Sequence, residues 1–305
     1  MLDGLATFLE QAAPADYRHV LSSLGFDLIQ KETAATGERI TVSSRNGKIA
    51  AIGRVRSLEW DSRFFGVPCG RMEGMFFDST DPEPLGTRLG LLQKMTAKAE
   101  NIGLSFLDCR VRADDPCLKE ALERLDFVLC DKLNIYQTVL TSGPEITEPA
   151  AIAMPGCDEL AELLKRCFAD MRRGRVFQDP NIDQATAQRF YLETSQHYLS
   201  QGAHVTTIEE NGKTVGAAIG VIDAEMSEQT ERRYGILWFI TVDPAYRRRG
   251  IGNRLFKKFT QEFSARAELL EIGTQSANFA ANRIYISAGC SPLTRVLTFH
   301  KWMCR

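Results

Sequence analysis

Along the C-terminal half of the chain, the spacing of hydrophobic residues alternates between that of a strand and that of a helix. A mostly apolar run at 236–242 is typical of a buried strand, and the apolar positions of 250–267 have the spacing of an amphipathic helix. A strand over 269–275, a helix over 278–289 and a strand over 291–303 follow. This alternation predicts an α/β protein, or α+β in some schemes, with a mixed sheet flanked by helices.

The N-terminal half shows the same order of elements. Helical spacing at 89–103 is followed by a strand pattern at 104–111, a helix that opens at Pro116 and a strand at 132–140. A shift of 163 positions aligns Phe106 with Leu269, Leu122 with Tyr285 and Tyr136 with Phe299 without a gap. We predict one supersecondary plan used twice. The alternative is that any two strand–helix–strand units align equally well.

A stretch rich in proline and glycine separates the two halves. Residues 141–157 contain three prolines and two glycines and have no helix or strand period. We therefore predict two domains, 1–143 and 144–305. This agrees with the roughly two domains expected for a chain of 305 residues.

Composition and charge exclude several classes of protein. A formal net charge of -2 and a hydrophobic content of 44% indicate an ordinary globular protein without the basic excess of a nucleic-acid binder. No apolar run is long enough to span a bilayer, and Asp3 and Glu10 stand where a signal peptide would be basic and then apolar. We expect a cytoplasmic protein without membrane or nucleic-acid partners.

The cysteines and histidines do not form a metal-binding pattern. The eight cysteines include no C-x-x-C pair, and none of the four histidines has metal-ligand spacing to a cysteine or another histidine. We expect reduced thiols that act as small apolar residues, and no metal site.

Three consecutive arginines stand directly before two glycines at the start of a predicted helix. Arg247 to Arg249 supply charge and hydrogen-bond donors, and Gly250 and Gly252 remove Cβ atoms where a ligand's oxygens must approach. The first N–H groups of a helix bind anions well, so this loop is a candidate site for a pyrophosphate. It is neither a Walker loop nor a dinucleotide fingerprint. The alternative is a solvated basic helix start in which the glycines serve the turn.

Two ordered motifs give this half a family resemblance. Arg247-x-x-Gly250-x-Gly252 and Asn278-x-x-Ala281-x-x-x-Tyr285 resemble the two signature motifs of the GNAT acetyltransferases. The resemblance implies a GNAT fold, acetyl-CoA as the acyl donor and a GNAT-like N-terminal half that is degenerate, since residues 85–90 lack the arginine cluster. It implies a cofactor-binding set of Ile240, Val242, Arg247, Arg248, Arg249, Gly250, Ile251, Gly252 and Asn278.

The resemblance also assigns Tyr285 as the general acid that protonates the departing thiolate. The alternative is a core tyrosine whose hydroxyl is bonded to backbone. Backbone N–H groups around 239–241 are candidates to stabilise the carbonyl oxygen. No carboxylate lies within 236–242, so we expect a water relay, with Asp243, Glu231 and Asp223 as candidate bases.

A narrower resemblance concerns the acceptor. Segments 58–72, 173–198 and 274–302 resemble the TDP-fucosamine acetyltransferase family, which implies N-acetylation of a nucleotide-linked 4-amino-6-deoxy sugar. Arg173 and Arg175, with neighbouring Arg172 and with Asp179, are candidates to hold the nucleotide diphosphate, the alternative being a basic surface cluster.

Several other interpretations stay open at this stage. The group Trp60, Asp61, Phe64 and Phe65 either packs in a core or forms a wall of the sugar site. The acceptor is alternatively a peptide, protein or antibiotic amine, and a non-catalytic acyl-CoA sensor is a further alternative. A homodimer is a candidate assembly.

Overall fold

The computed structural model describes residues 40–45, 48–141 and 157–303. In chain order its elements are β1 (Ile40–Arg45), β2 (Lys48–Ser57), α1 (Glu59–Phe65), β3 (Cys69–Phe77), α2 (Pro84–Asn101), β4 (Phe106–Arg112), α3 (Pro116–Arg124), β5 (Val128–Val139), α4 (Cys157–Asp170), α5 (Gln184–Ser200), β6 (His204–Glu210), β7 (Lys213–Ile222), α6 (Ala224–Thr230), β8 (Tyr234–Val242), α7 (Ile251–Phe263), β9 (Leu269–Gln275), α8 (Phe279–Ser287) and β10 (Ser291–Trp302). A 3-10 turn spans Pro244–Tyr246. The elements expected between 89 and 140 and between 236 and 303 are therefore present, with ends shifted by a few residues.

The chain divides into two compact units. The first unit is Met1–Asp131 together with Arg295–Arg305, and the second is Lys132–Thr294. This division differs from the predicted boundary at residue 143, because most of β5 belongs to the second unit and most of β10 to the first. The predicted linker lies almost wholly outside the described residues. The assignment of 1–143 and 144–305 as separate domains stays a prediction.

The first unit holds strands in the order β1-β2-β3-β4-β10. Only β3 and β4 run parallel, and β10 pairs antiparallel with β4 over Val296–Trp302. Helix α2 buries Leu91, Leu92 and Met95 in the core of this unit. A smaller cluster contains Phe65, which contacts the rings of Phe106 and Trp302, so packing is the role that the structure supports for Phe65.

The second unit repeats this order with β6-β7-β8-β9-β5. Again only one pair, β8 and β9, is parallel, and β5 pairs antiparallel with β9 over Leu133–Val139. Helix α7 packs Phe259 and Phe263 against this sheet. A Cβ at Gly220 would stand 2.6 Å from Phe259, and one at Gly235 would stand 2.4 Å from Phe263. Glycine at these two strand positions therefore allows the close approach of α7 that shapes the site below.

The predicted spacing of 163 residues is confirmed for three elements. Strand β9 begins and ends 163 positions after β4, helix α8 does so after α3, and β10 does so after β5. The two units therefore contain the same structural plan with the last strand exchanged. Strand β10, which follows α8 in the chain, completes the strands of the first unit, and β5, which follows α3, completes those of the second. A common origin of the two halves stays a prediction.

Two further expectations concern cysteines and membranes. The cysteines at 69, 109, 117, 130, 167 and 290 carry free thiols, and all except Cys117 are buried, as expected for small apolar residues. Within the described ranges, no helix combines the length and the apolar character needed to cross a membrane.

Candidate active site

The site begins where two parallel strands of the second unit separate. Strands β8 and β9 pair only from Tyr234 with Leu269 to Leu237 with Ile272, although both strands continue. On its other side β8 carries a bulge, because β7 pairs with Phe239 and then with Leu237 and skips Trp238. The separation opens a cavity of about 1020 Å³. Backbone groups of β8 after Leu237 thus face a cleft on the side where β9 would otherwise pair.

The loop between β8 and α7 closes one end of this cavity. Arg248 and Gly250 adopt left-handed backbone conformations with φ of 64° and 77°. Left-handed residues at alternate positions turn successive N–H groups into a concavity that suits an anion. Gly250 is also the N-cap of α7, so the first N–H groups of that helix have no side-chain acceptor from the cap. A diphosphate fits this geometry.

Gly252 has a different role in the loop. A Cβ at this position would lie 2.9 Å from Cδ1 of Ile284, so the absence of a side chain lets the start of α7 approach α8. The cradle for an anion and the helix that carries Tyr285 are therefore in direct contact.

Two ion pairs attach the loop to helix α4. Arg166 donates to Asp243 at 3.0 Å, and Arg247 donates to Asp170. The partners lie one turn apart on α4 and four residues apart on the loop. Arg247 also donates through Nε to the carbonyl of Val242 at 3.1 Å. The guanidinium of Arg247 thus ties the loop to α4 and to the end of β8, and its contact with a phosphate stays a prediction.

Tyr285 lies at the inner part of the cavity. Its ring is 2% exposed and packs against Tyr136 and Phe256 at centroid distances of 5.8 and 5.1 Å. Among the described residues its hydroxyl has no hydrogen-bond partner, although the residue lines the cavity. Burial, with smaller contributions from Cys290 and Tyr136, raises the pKa of Tyr285. The hydroxyl therefore stays protonated at neutral pH, and the alternative of a hydroxyl bonded to backbone does not describe this structure.

Two asparagines fix the start of α8. Asn278 is its N-cap and accepts from the N–H of Ala281 at 3.3 Å. Asn282 accepts from Tyr136 Oη at 2.7 Å and Asn134 Nδ2 at 2.8 Å, and donates to the carbonyls of Gln275 and Asn278. This network ties α8 to β5 and β9 and thereby orients Tyr285, which follows Asn282 by almost one turn.

Most of the residues predicted from the sequence meet at this cavity. Those that line it are Arg173, Ile240, Val242, Arg247, Arg248, Gly250, Ile251, Gly252, Asn278 and Tyr285. Three predicted residues are not part of its lining. Arg249 turns to the carbonyl of Ala245 and lies over the Tyr246 ring, Arg175 lies over the Phe190 ring, and Asp179 is buried and accepts from the N–H of Asn181.

The candidate bases are outside the cavity lining as well. Asp223 caps α6, and Glu231 is an exposed left-handed residue at the end of that helix. Asp243 caps the 3-10 turn and pairs with Arg166 and Lys213. Burial raises the pKa of Asp243, but the Ala245 N–H and Arg166 outweigh it and lower the pKa below its usual range. The carboxylates of Asp223 and Asp243 thus cap local turns.

The cavity also contains residues that sequence reasoning missed. Trp238 comes from the bulged strand, Tyr191 from α5, and Asp170 from the end of α4. One local signal pointed to Asp170. Arg166 and Asp170 are four residues apart, as are Asp243 and Arg247, and the charges of the two pairs are complementary. Phe279 and Arg283, on α8, lie inside the second motif but were not singled out.

Comparison with known proteins fits this geometry. Residues 158–289 match the acetyltransferase (GNAT) family model. This segment is a GNAT acetyltransferase domain. The matched range contains α4, the loop, α7 and Tyr285, so the predicted class, a GNAT acyltransferase, is confirmed for this domain. No curated protein matches the sequence.

Solved structures support the GNAT fold. A GCN5-related N-acetyltransferase from Sphaerobacter thermophilus aligns over 99% of this chain and 92% of its own, with a TM-score of 0.59 and 15% identity. A tandem GNAT protein from the clavulanic acid biosynthesis pathway aligns over 100% and 94%, with a TM-score of 0.51 and 13% identity. A GCN5-related glucosamine N-acetyltransferase region of a fungal multi-domain GH3 β-N-acetylglucosaminidase aligns over 98% and 37%, with a TM-score of 0.54 and 14% identity. At these identities the likeness concerns the fold.

Proposed function

We propose that this protein is an N-acetyltransferase that moves the acetyl group of acetyl-CoA to the amino group of a nucleotide-linked amino-deoxy sugar, of the TDP-4-amino-4,6-dideoxyhexose type. The observation that best supports an acetyl transfer is the set of residues that line the cavity. It joins the anion-binding start of α7, the unpaired part of β8 and the Tyr285 hydroxyl within one unit.

The donor's diphosphate would be held by the N–H groups of the loop and of Gly250 to Gly252. The pantetheine arm would extend beside Ile240 and Val242, where β8 lacks its partner strand. Asn278 would hold a pantetheine amide through its Nδ2, since its Oδ1 caps α8. Backbone N–H groups at 239–241 are placed to stabilise negative charge on the carbonyl oxygen.

The neutral acceptor amine would attack the thioester carbonyl, forming the C–N bond as the C–S bond breaks. The amine would release one proton through water, and the leaving thiolate would take up one proton. Tyr285 would supply the proton to the thiolate, because its hydroxyl is protonated at neutral pH, lies in the cavity and has no partner among the described residues. The cavity also contains the thiol of Cys167, whose pKa is raised by burial. A protonated thiol is a poor nucleophile, so we favour direct attack by the acceptor amine over an acyl-cysteine route.

The acceptor assignment rests on the part of the cavity between α4 and α5. Arg173 is exposed there and has no ion-pair or hydrogen-bond partner in the part of the chain that the structure describes. Tyr191 offers an aromatic surface that stacks on Phe177 at 5.4 Å. A cation beside an aromatic surface suits a nucleotide diphosphate. The fungal region with the same fold is a glucosamine N-acetyltransferase, and an amino sugar is the acceptor class proposed for this chain.

A panel of amines tests the proposal directly. The full chain is mixed with acetyl-CoA and TDP- or UDP-linked amino sugars, peptide amines or aminoglycosides, and free CoA thiol is measured. We expect release with the nucleotide amino sugars and its loss in Tyr285→Phe. Release with peptide amines or aminoglycosides alone would replace the acceptor class. CoA binding without release for any amine would favour the acyl-CoA sensor.

A further inference from the structure

Within the described part of the second unit, a row of six aromatic side chains runs beside the cavity. Neighbouring ring centroids are 4.8 to 5.9 Å apart, and the row consists of Tyr198, Trp238, Phe239, Phe168, Tyr191 and Phe177 in that order. Tyr191, Trp238 and Phe239 line the cavity. We call these three side chains the aromatic wall.

The bulge in β8 brings two residues of the wall to the same side of the sheet. Successive side chains of a regular strand point to opposite faces. Here β7 pairs with Phe239 and then with Leu237 and skips Trp238, so the alternation is interrupted. Trp238 and Phe239 therefore both pack against the apolar cluster that α4 and α5 form with this face of the sheet.

The third residue of the wall, Tyr191, is held from behind. Its ring stacks on Phe177 with an interplanar angle of 9°. A Cβ at Gly174, whose φ is 113°, would overlap the Tyr191 hydroxyl, so glycine lets the segment 171–178 close directly over this ring. Phe168, which is 1% exposed, fills the space between Tyr191 and Phe239. The wall is thus a fixed surface.

The inner part of the cavity between α4, α5 and β8 is apolar. The lining residues that are buried or half-buried there are Cys167, Met171, Tyr191, Trp238 and Phe239. The charged lining residues of the same region are exposed, and they are Asp170, Arg172 and Arg173. A group that passes this charged rim meets aromatic surface. A methyl group is stabilised there, whereas a hydroxyl loses its hydration.

Under the proposed function, the wall lies next to the reacting amine. The acetyl oxygen is held by backbone N–H groups at 239–241, and Trp238 and Phe239 stand at the start of the same stretch. In a 4-amino-4,6-dideoxyhexose the amine is on C4 and a methyl group is on the adjacent C5. This methyl group is the most apolar substituent beside the amine, so it is the part of the sugar that suits the wall.

We propose that the aromatic wall binds an apolar group beside the acceptor's amine and so selects a 6-deoxy sugar over its 6-hydroxyl counterpart; this rests on the proposed function. Trp238 is the residue that determines the selection, because the bulge presents its ring to the cavity directly before the backbone that holds the acetyl oxygen. Apolar sites discriminate between substrates that differ by one small group by about tenfold to 100-fold.

The first unit provides an internal contrast. Strands β3 and β8 enter their parallel pairs at Cys69 and Tyr234, so the residue that corresponds to Trp238 is Glu73. Glu73 is buried and pairs with Arg54. A charged side chain therefore occupies the position at which the second unit has the largest ring of its wall.

Acetyl transfer to two nucleotide sugars tests the proposal. TDP-4-amino-4,6-dideoxygalactose and TDP-4-amino-4-deoxygalactose differ in a methyl or a hydroxymethyl group on C5. We expect kcat/KM of wild type to be about tenfold to 100-fold higher for the methyl sugar. Trp238→Met should keep this preference because the thioether is apolar. Trp238→Gln, with a side chain of similar size, should lower it about tenfold because its amide can bond the hydroxyl.

Tyr198→Leu is the control, since the Tyr198 ring packs on Trp238 from outside the cavity lining, and it should keep the preference. A ratio of two kcat/KM values from one preparation does not depend on the folded fraction. Calorimetric titration of CoA shows in addition that each variant is folded.

Three outcomes would overturn the proposal. Acetylation of both sugars with equal kcat/KM, or an unchanged preference in Trp238→Gln, would reject the role of the wall and leave the proposed function intact. An equal loss of preference in Tyr198→Leu and Trp238→Gln would assign the effect to general packing of the aromatic row. Acetylation of neither sugar by wild type would reject the proposed acceptor and this inference with it.

Discussion

In the first unit, β3 and β4 pair from Cys69 with Phe106 to Met72 with Cys109 and then separate, and β8 and β9 of the second unit do the same over an equal length. Both separations leave a cavity between the strand ends and the following helices, of about 420 Å³ in the first unit and about 1020 Å³ in the second. The backbone opening is therefore common to both units, and side chains decide how much space remains.

Charged side chains occupy the opening in the first unit. Arg88 contacts both carboxylate oxygens of Asp115 at 2.9 and 3.0 Å and lies over the Phe77 ring at 4.3 Å. Asp115 caps α3 by accepting from the N–H of Leu118. The corresponding cap in the second unit is Asn278, and Arg110 corresponds to Gly273. Both helix starts are thus capped, by a carboxylate paired with Arg88 in the first unit and by a neutral amide in the second.

The N-termini of α2 in the first unit and α7 in the second also differ in charge. Glu83 is the N-cap of α2, where its negative charge disfavours a phosphate, whereas Gly250 is the N-cap of α7. Tyr285 corresponds to Leu122, which cannot donate a proton. Under the proposed function, the comparison teaches that a GNAT-like backbone opening is not sufficient for the chemistry, which would depend on the loop, the cap and one hydroxyl.

The most decisive test of this contrast is stoichiometry. We predict one CoA bound per chain, because α7 starts at the left-handed Gly250, whereas α2, its counterpart within the described part of the first unit, starts at the acidic residue Glu83. Calorimetric titration of CoA should give a single site, and Arg248→Glu should weaken it. A second site that survives Arg248→Glu but is lost in Arg88→Glu would place CoA in the first unit as well.

The next largest effect should come from Tyr285→Phe. Loss of a general acid typically lowers kcat and kcat/KM by about 100-fold to 10,000-fold, while the retained ring keeps CoA affinity and melting temperature nearly unchanged. Steady-state kinetics and calorimetry on the same variant measure both effects. Leu122→Phe, at the corresponding position of the first unit, is the control and should leave kcat unchanged. Full kcat in Tyr285→Phe would assign the proton to water or another group.

Gly250→Val tests the loop with a matched control. Gly250 and Gly103 share a φ of 77° and an open space beside the Cα, so valine should cost each about 1–2 kcal/mol of stability. Only Gly250→Val should also weaken CoA, by about tenfold or more, because its side chain blocks approach to the N–H groups. Thermal melts and CoA titrations separate the two effects. Equal CoA affinity in both variants would contradict the loop assignment.

A smaller effect is expected from the pair Asp170 and Arg247. Both side chains are about half exposed, so Arg247→Ala should weaken CoA only a few-fold. If Arg247 acts by positioning the loop, the double exchange Asp170→Arg with Arg247→Asp should recover part of the lost affinity. If residue 247 instead contacts the diphosphate directly, the aspartate in the exchanged variant should repel it. The exchanged variant should then bind CoA more weakly than Arg247→Ala, and calorimetry of the variants distinguishes the two results.

The smallest effect concerns pH and the second unit alone. His204 is buried against Phe259 and Phe263, and burial, partly opposed by Glu262, lowers its pKa below 6.5. The unfolded chain therefore takes up a proton that the folded chain excludes. The free energy of unfolding should fall as pH drops through 6.5 towards the folded pKa, by at most about 1.4 kcal/mol per pH unit.

Hydrogen exchange in α7 between about pH 8 and about pH 5.5 should report this loss of stability. His204→Gln should flatten the pH dependence, since glutamine does not titrate. An equal pH dependence in that variant would assign the effect to other groups.

Local sequence by itself determined the elements of the second unit and the residues on which its proposed chemistry depends. Apolar periods located β8, α7, β9, α8 and β10, and the glycine at position 250 and the arginines before it marked an anion site, because turn geometry and helix termini depend on adjacent residues. The spacing of 163 residues between repeated elements was also visible, since both copies keep the same strand and helix lengths.

Tertiary structure alone decided which strand completes each sheet. The edge positions beside β4 and β9 accept strands of the same length and alternation, so the pattern of β5 and β10 fits either one. Pairing of β10 with β4 and of β5 with β9 is a choice between long-range contacts that no local pattern encodes. The charged contact that fills the opening in the first unit also depends on long-range contacts. Arg88 and Asp115 are 27 residues apart, and their contact exists only because the strands between and beside them bring α2 and α3 together.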